Sequence, residues 1–134
     1  MGRFSRGTLL LALGAAAIAP STALAASKQA EKKAFVAQCD ESISIDRLAG
    51  APHKFVGKKV DLHGVVGPAM EDARAFNLDS LNDPTAFVVV VWNARDLEAR
   101  QRVRVLGTVA QPVSGETTVG GRGTFAVVRA QYVE

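Results

Sequence analysis

From residue 58 onward, apolar and polar positions alternate with the period of two expected of a strand with one buried face. Val60, Leu62, Gly64 and Val66 fall on one side, Asp61 and His63 on the other, and Gly67-Pro68 marks a stop. Residues 75–80 repeat the pattern, with Phe76 and Leu78 inward and Asn77 and Asp79 outward, before an Asn82-Asp83-Pro84 turn. Residues 86–92 carry four consecutive valines, too short a run for a core helix and β-branched throughout, so they predict a third strand. Asn93 closes it, and residues 95–100 have the length of a one- or two-turn helix. Val103, Val105, Gly107 and Val109 then alternate with Arg102, Arg104 and Thr108 over residues 102–110, up to Pro112. Residues 111–123 include Gly115, Gly120, Gly121 and Gly123 and lack apolar periodicity, as in a mobile hairpin loop. A last strand covers residues 124–133, and Phe76, Phe87 and Phe125 are expected in the core.

Two segments precede the strands. Residues 26–38 are rich in Ala, Lys and Glu, with Ala34, Phe35 and Cys39 at helical spacing, and predict a short helix or a frayed end within an extension over residues 26–43. Ser44 can cap a further turn of helix with Asp46 near its start and Gly50 and Pro52 at its end. The order β-β-β-α-β-β is that of an all-β domain with short helices: a small five-stranded Greek-key barrel over residues 44–134, one short helix between strands three and four, and an N-terminal helical extension.

The first residues change the picture of location and charge. Arg3 and Arg6, an apolar run over residues 9–19, and Ala23-Leu24-Ala25 make up the parts of a cleavable secretory signal peptide over residues 1–25, with Pro20 ending the apolar run. The run is too short for a bilayer span of roughly 20 residues, so the expected product is periplasmic or secreted, without a membrane anchor after cleavage. The chain has 16 basic and 13 acidic residues, and losing Arg3 and Arg6 leaves 14 against 13. The argument from overall charge to a polyanionic partner then largely disappears. Cys39, the single cysteine, has no intramolecular disulfide partner; burial is the leading reading, ahead of pairing between chains.

The spacing Val60-x-Leu62-x-Gly64-x-Val66 recurs as Val103-x-Val105-x-Gly107-x-Val109, and Phe55-Val56-Gly57-Lys58-Lys59 precedes the first copy. A mid-strand glycine lets a strand bend round a small barrel. Together these segments resemble the tRNA-anticodon-binding-like OB-fold proteins and the exported bacterial OB-fold proteins. The resemblance covers residues 45–133. It implies an OB barrel whose ligand would lie across strands two and three, flanked by residues 67–74 and 111–123.

Within that frame, binding to a single strand needs aromatic platforms and cations. Trp92, Arg74, Arg102 and Arg104 are the candidates, with Asn77 and Asp79 as polar contacts. Solvated arginines and a Trp92 that caps the barrel are the plainer readings. His53 and His63 are ten residues apart in no ligand motif, so no metal or other cofactor is expected. No His follows His63, which disfavours the haem chaperones of cytochrome c maturation. Glu71, Asp79 and Asp83 form no recognisable catalytic set, and residues 115–123 lack the Lys-Ser/Thr of a phosphate loop. The expectation is a non-enzymatic exported binding module for a small molecule or an envelope protein. The alternatives are a single-stranded nucleic-acid-binding domain and a structural subunit of an envelope complex.

Overall fold

The structure is a computed structural model that describes residues 20–69, 72, 74–116 and 121–134. Most of the expected leader, residues 1–19, lies outside the described residues, as do residues 70, 71 and 73 and residues 117–120. Two compact units divide the chain after Ala34. Helix α1, Pro20–Gln38, begins in the first, where residues 25–34 are exposed except for half-buried Lys32. No helix among the described residues is long and apolar enough to cross a membrane.

In the unit Phe35–Glu134, strands β1 (Lys59–Ala69), β2 (Ala75–Ser80), β3 (Phe87–Val91), β4 (Arg102–Glu116) and β5 (Arg122–Val133) close into a barrel in the order β1-β2-β3-β5-β4. All neighbours are antiparallel except β3 and β5, which run parallel. This is the five-stranded OB arrangement, and the strand order carries it. The expected inward positions Val60, Leu62, Val66, Phe76, Leu78, Val103, Val105 and Val109 are all buried. At the start of β1, Gly57 has φ +87°, a left-handed conformation that favours glycine. The turn it makes lets its N–H donate to Val109 O (2.8 Å), joining Phe55-Val56-Gly57-Lys58 to the β1–β4 ladder.

The barrel's end is filled from an unexpected direction. Helix α2, Ile45–Gly50, has Ser44 as its N-cap, the hydroxyl accepting from Arg47 N at 3.2 Å, and its buried Ile45 and Leu48 lie three residues apart on one face. It packs on β1, β2, β3 and β5. The helix expected between strands three and four is absent: residues 93–100 form two turns. Asn93 Oδ1 accepts from Arg95 N (3.1 Å), Leu97 N bonds to Ala94 O, and Arg100 takes φ +70° with its N–H donated to Val66 O. Those local bonds replace an α-helical ladder.

Neither proline stops its strand. β1 runs through Gly67-Pro68 and β4 through Pro112, correcting both expected ends. Val66 to Ala69 on β1 spans three residues against two on β2 (Leu78 to Phe76), and Ala110 to Val113 on β4 spans three against two on β5 (Val127 to Phe125). Each proline therefore sits in a bulge, where a missing N–H leaves no ladder bond broken. The expected loop over residues 111–123 is largely ladder, with Ser114, Gly115 and Glu116 paired to Thr124, Gly123 and Arg122.

On the outer face of β1 and β4, Arg104 clasps Asp61, donating from Nε to Oδ1 (2.9 Å) and from Nη2 to Oδ2 (2.8 Å). Glu134 (3.5 Å from Arg104) and His63 (3.5 Å from Asp61) extend the network. The Arg104 hydrogen bonds hold the Asp61 carboxyl below its usual value, against the opposing effect of burial. A depressed folded pKa stabilises above the unfolded carboxylate value, and that stability is lost as pH falls through the folded one. Asp61→Asn should therefore cost about 1.5–3 kcal/mol at neutral pH. Urea unfolding of both proteins should show the gap closing below about pH 4; an equal gap at pH 7 and pH 3 would assign the loss to packing instead.

Candidate ligand-binding face

The outer surface of β2, β3 and β5 is laid down by strand register. Asp79 on β2 stands opposite Phe87 on β3, Asn77 opposite Val89, and Ala75 opposite Val91; Val89 and Val91 in turn pair with Val127 and Arg129 on β5. Phe87 and Phe125 stack on each other, with ring centroids 5.4 Å apart and planes at 28°. Both are half-buried and point outward, correcting the expectation that they lie in the core; Phe76 is in the core, fully buried. Val113, opposite Phe125 on the β4–β5 hairpin, is exposed and continues the apolar strip.

Past the far end of β3, Arg74, Val91, Trp92, Asn93 and Arg95 line an open depression of about 370 Å³, together with Asp72. Trp92 is half-buried, packs against the core, and donates its backbone N–H to Arg74 O (3.1 Å). Arg74 is exposed and lies 3.4 Å from Asp72. From Phe87 to Trp92 the face extends about 17 Å at the rise of a strand.

The six residues singled out from the sequence separate into two pairs and two single residues. Arg74 and Trp92 meet in the depression, and Asn77 and Asp79 share the outer side of β2. Arg102 is exposed at the start of β4, in a cross-strand row with Val65, Asp79 and Phe87. Arg104 is engaged with Asp61 on the β1–β4 surface. Sequence reasoning passed over Phe87, Phe125, Arg95 and Arg129. One signal was available: Arg129 must face solvent, and Phe125 and Val127 share its parity along β5.

Among the described residues, one buried acceptor on this face lacks a donor. Asn77 Oδ1 is buried with no hydrogen-bond partner. The Asp79 carboxylate lies over Gly67, where a Cβ would stand 2.9 Å from Oδ2 and 3.0 Å from Oδ1. Burial pushes the Asp79 carboxyl above its usual value, and the charge of Arg100 acts the other way. Among the described residues, no three His, Cys, Asp or Glu side chains converge as a metal would require. Cys39 is half-buried and donates to Phe35 O at 3.3 Å; burial, then the charge of Asp61, raises its thiol pKa.

No family model matches the sequence, and no curated protein matches it. Among solved structures, the chain is similar to the mitochondrial single-stranded DNA-binding protein Rim1 from S. cerevisiae, at 18% identity and a TM-score of 0.40, over 60% of this chain and 92% of that one.

Proposed function

We propose that this chain is a binding module rather than an enzyme, and that it holds a single strand of nucleic acid along the outer face of β2, β3 and β5. The observation that carries this reading is the outward stack of Phe87 on Phe125, continued by Val89 and Val91 to the depression lined by Trp92, Arg74 and Arg95. Bases stack on aromatic rings whatever their identity, while flanking cations follow the phosphates. A small molecule is a poorer fit, since such ligands favour concave sites that bury most of their surface and this depression is open. A protein segment is the second reading, favoured by charge: residues 35–134 carry 11 basic and 12 acidic side chains.

Fluorescence anisotropy with a labelled mixed-sequence strand tests the proposal. Binding is expected at about 50 mM salt; if Arg74, Arg95 and Arg129 neutralise three phosphates, log K should fall against log[salt] with a slope near −2. Phe87→Ala and Phe125→Ala should each weaken binding by about 1–3 kcal/mol. An intact protein that binds no strand at that salt would refute the reading and leave the protein segment.

A further inference from the structure

We infer that the bound strand continues past the aromatic stack, over the rim of the barrel, onto a second, basic surface where Arg47, Lys54 and Lys58 meet its phosphates. The inference rests on the single-strand reading and extends its site.

A near-neutral total hides an uneven distribution of charge. Residues 35–134 carry 11 basic and 12 acidic side chains, yet residues 47–59 hold Arg47, Lys54, Lys58 and Lys59 and no Asp or Glu. Folding gathers three of these cations around one buried ring. Arg47 Cζ lies 5.1 Å and Lys54 Nζ 5.6 Å from the centroid of Phe55, and Lys58 N donates to Phe55 O at 3.0 Å. Arg47, Lys54 and Lys58 are all exposed. Lys59 instead reaches Gln38 and the Phe35 ring. Asp40 is the acid beside the three: hydrogen bonds from Ser42, then the charges of Lys58 and Arg47, hold its carboxyl below the usual value. Glu41, Asp46 and Asp61 line a different cavity, with His63.

Helix α2 joins this surface to the aromatic face. Its Ala49, with Thr85, Phe87, Thr124, Phe125 and Ala126, lines an open notch of about 170 Å³ at the edge of the ring stack. Apart from the two rings, the walls of the notch are small side chains. Next along the chain comes Gly50, exposed and with open space where a Cβ would stand, and His53 and Lys54 follow. A strand leaving the stack therefore meets no bulky side chain before it reaches the cations.

The two surfaces divide the work of holding a single strand: rings take the bases at the stack, and cations take the phosphates beyond it. The uneven charge also explains how a unit with no net positive charge can hold a polyanion, since what the strand meets is the local potential along its path. An anionic membrane is the poorer partner for residues 47–59. Surface-bound segments bury an apolar face as well as pairing charge, and the exposed large apolar side chain here is Val56 alone.

The test is a set of anisotropy titrations of the full chain across a range of salt, with labelled mixed-sequence strands of about 5 and about 16 nucleotides, near the two ends of the site sizes of OB folds. The short strand should keep the slope near −2 of the aromatic face, and three further phosphates should steepen that of the long strand to about −4. Lys54→Gln combined with Lys58→Gln should bind the long strand about tenfold more weakly at about 50 mM salt, with a slope near −3, and the short strand as wild type does. Lys28→Gln combined with Lys33→Gln, the same loss of charge at exposed positions of α1, should change neither. Thermal melts of each variant separate lost binding from lost fold. Equal slopes for the two strands on wild type, or an equal loss in both double variants, would overturn the basic track and leave the single-strand reading standing. Vesicles of phosphatidylglycerol form the second arm: binding to them that is lost in the Lys54 and Lys58 double variant, with the long strand held as before, would reassign the surface to a membrane. Failure of both strands to bind would overturn both the track and the single-strand reading.

Discussion

Gly107→Val should cost about 3 kcal/mol of stability, at the upper end for overpacking a tight core position. For a domain of this size that lowers the thermal midpoint by roughly 12–24 °C. A Cβ at this position would stand 2.3 Å from Arg129 O, 2.9 Å from Val128 Cγ1 and 3.0 Å from Ala130 Cα. Two of those three atoms are backbone, so a change of rotamer cannot relieve the clash. β5 crosses this point just beyond a register shift, where one β4 step from Leu106 to Gly107 faces two β5 steps from Tyr132 to Ala130. The strand bends over Gly107 because there is no side chain to hold it off. Gly50→Ala is the matched control, since a Cβ there meets nothing within 4 Å. Its expected change is within about 1 kcal/mol, on the stabilising side. Equal melting of Gly107→Val and wild type would mean that β4 and β5 do not approach this closely.

The repeated valine-glycine spacing was informative because its two glycines face the same packing problem. Gly64, the counterpart on β1, has Asp79 O at 2.6 Å and Ile45 Cδ1 at 2.8 Å from the position a Cβ would take. β1 is legible in the sequence because charged residues fix which side is out, and β2 was read from Ala75 to Ser80 without error. β3 has apolar residues on both faces and no charge among Phe87–Val91, so alternation gives no phase and Phe87 was assigned to the wrong side. The prolines misled for another reason. Sequence shows that Pro68 and Pro112 lack an N–H, but not that a bulge would leave each one outside the ladder. The site followed the same division. Arg74, Trp92, Asn77 and Asp79 are recognisable as polar or aromatic side chains, and they fall as one pair in the depression and one on the outer side of β2, whereas the aromatic pair beside them depends on the parallel pairing of β3 with β5. That contact joins distant parts of the chain and has no local signature.

Leu48→Ala decides which segment plugs the barrel. A barrel of five short strands leaves an apolar opening at its end, and something must cover it. The sequence offers Trp92 as a cap and residues 95–100 as a short helix beside it. In the structure Leu48 on α2 is fully buried, and its neighbour Ile45, 5% exposed, reaches the space beside Gly64. Leu97, in the turns between β3 and β4, is half-buried at the edge of the same core. Truncating a fully buried leucine costs about 2–5 kcal/mol, through lost transfer energy and the cavity left behind. That is a large share of a stability of about 5–15 kcal/mol. Leu97→Ala, at a position that already meets solvent and whose turns can relax, should fall well below that range. Urea unfolding of the two variants beside wild type makes the comparison, with similar m-values required so that the midpoints report stability. If Leu97→Ala proved the more damaging, the plug would belong to the β3–β4 connection. The larger loss at Leu48 is expected because α2 packs on four of the five strands, so a cavity beneath it is shared by most of the barrel wall.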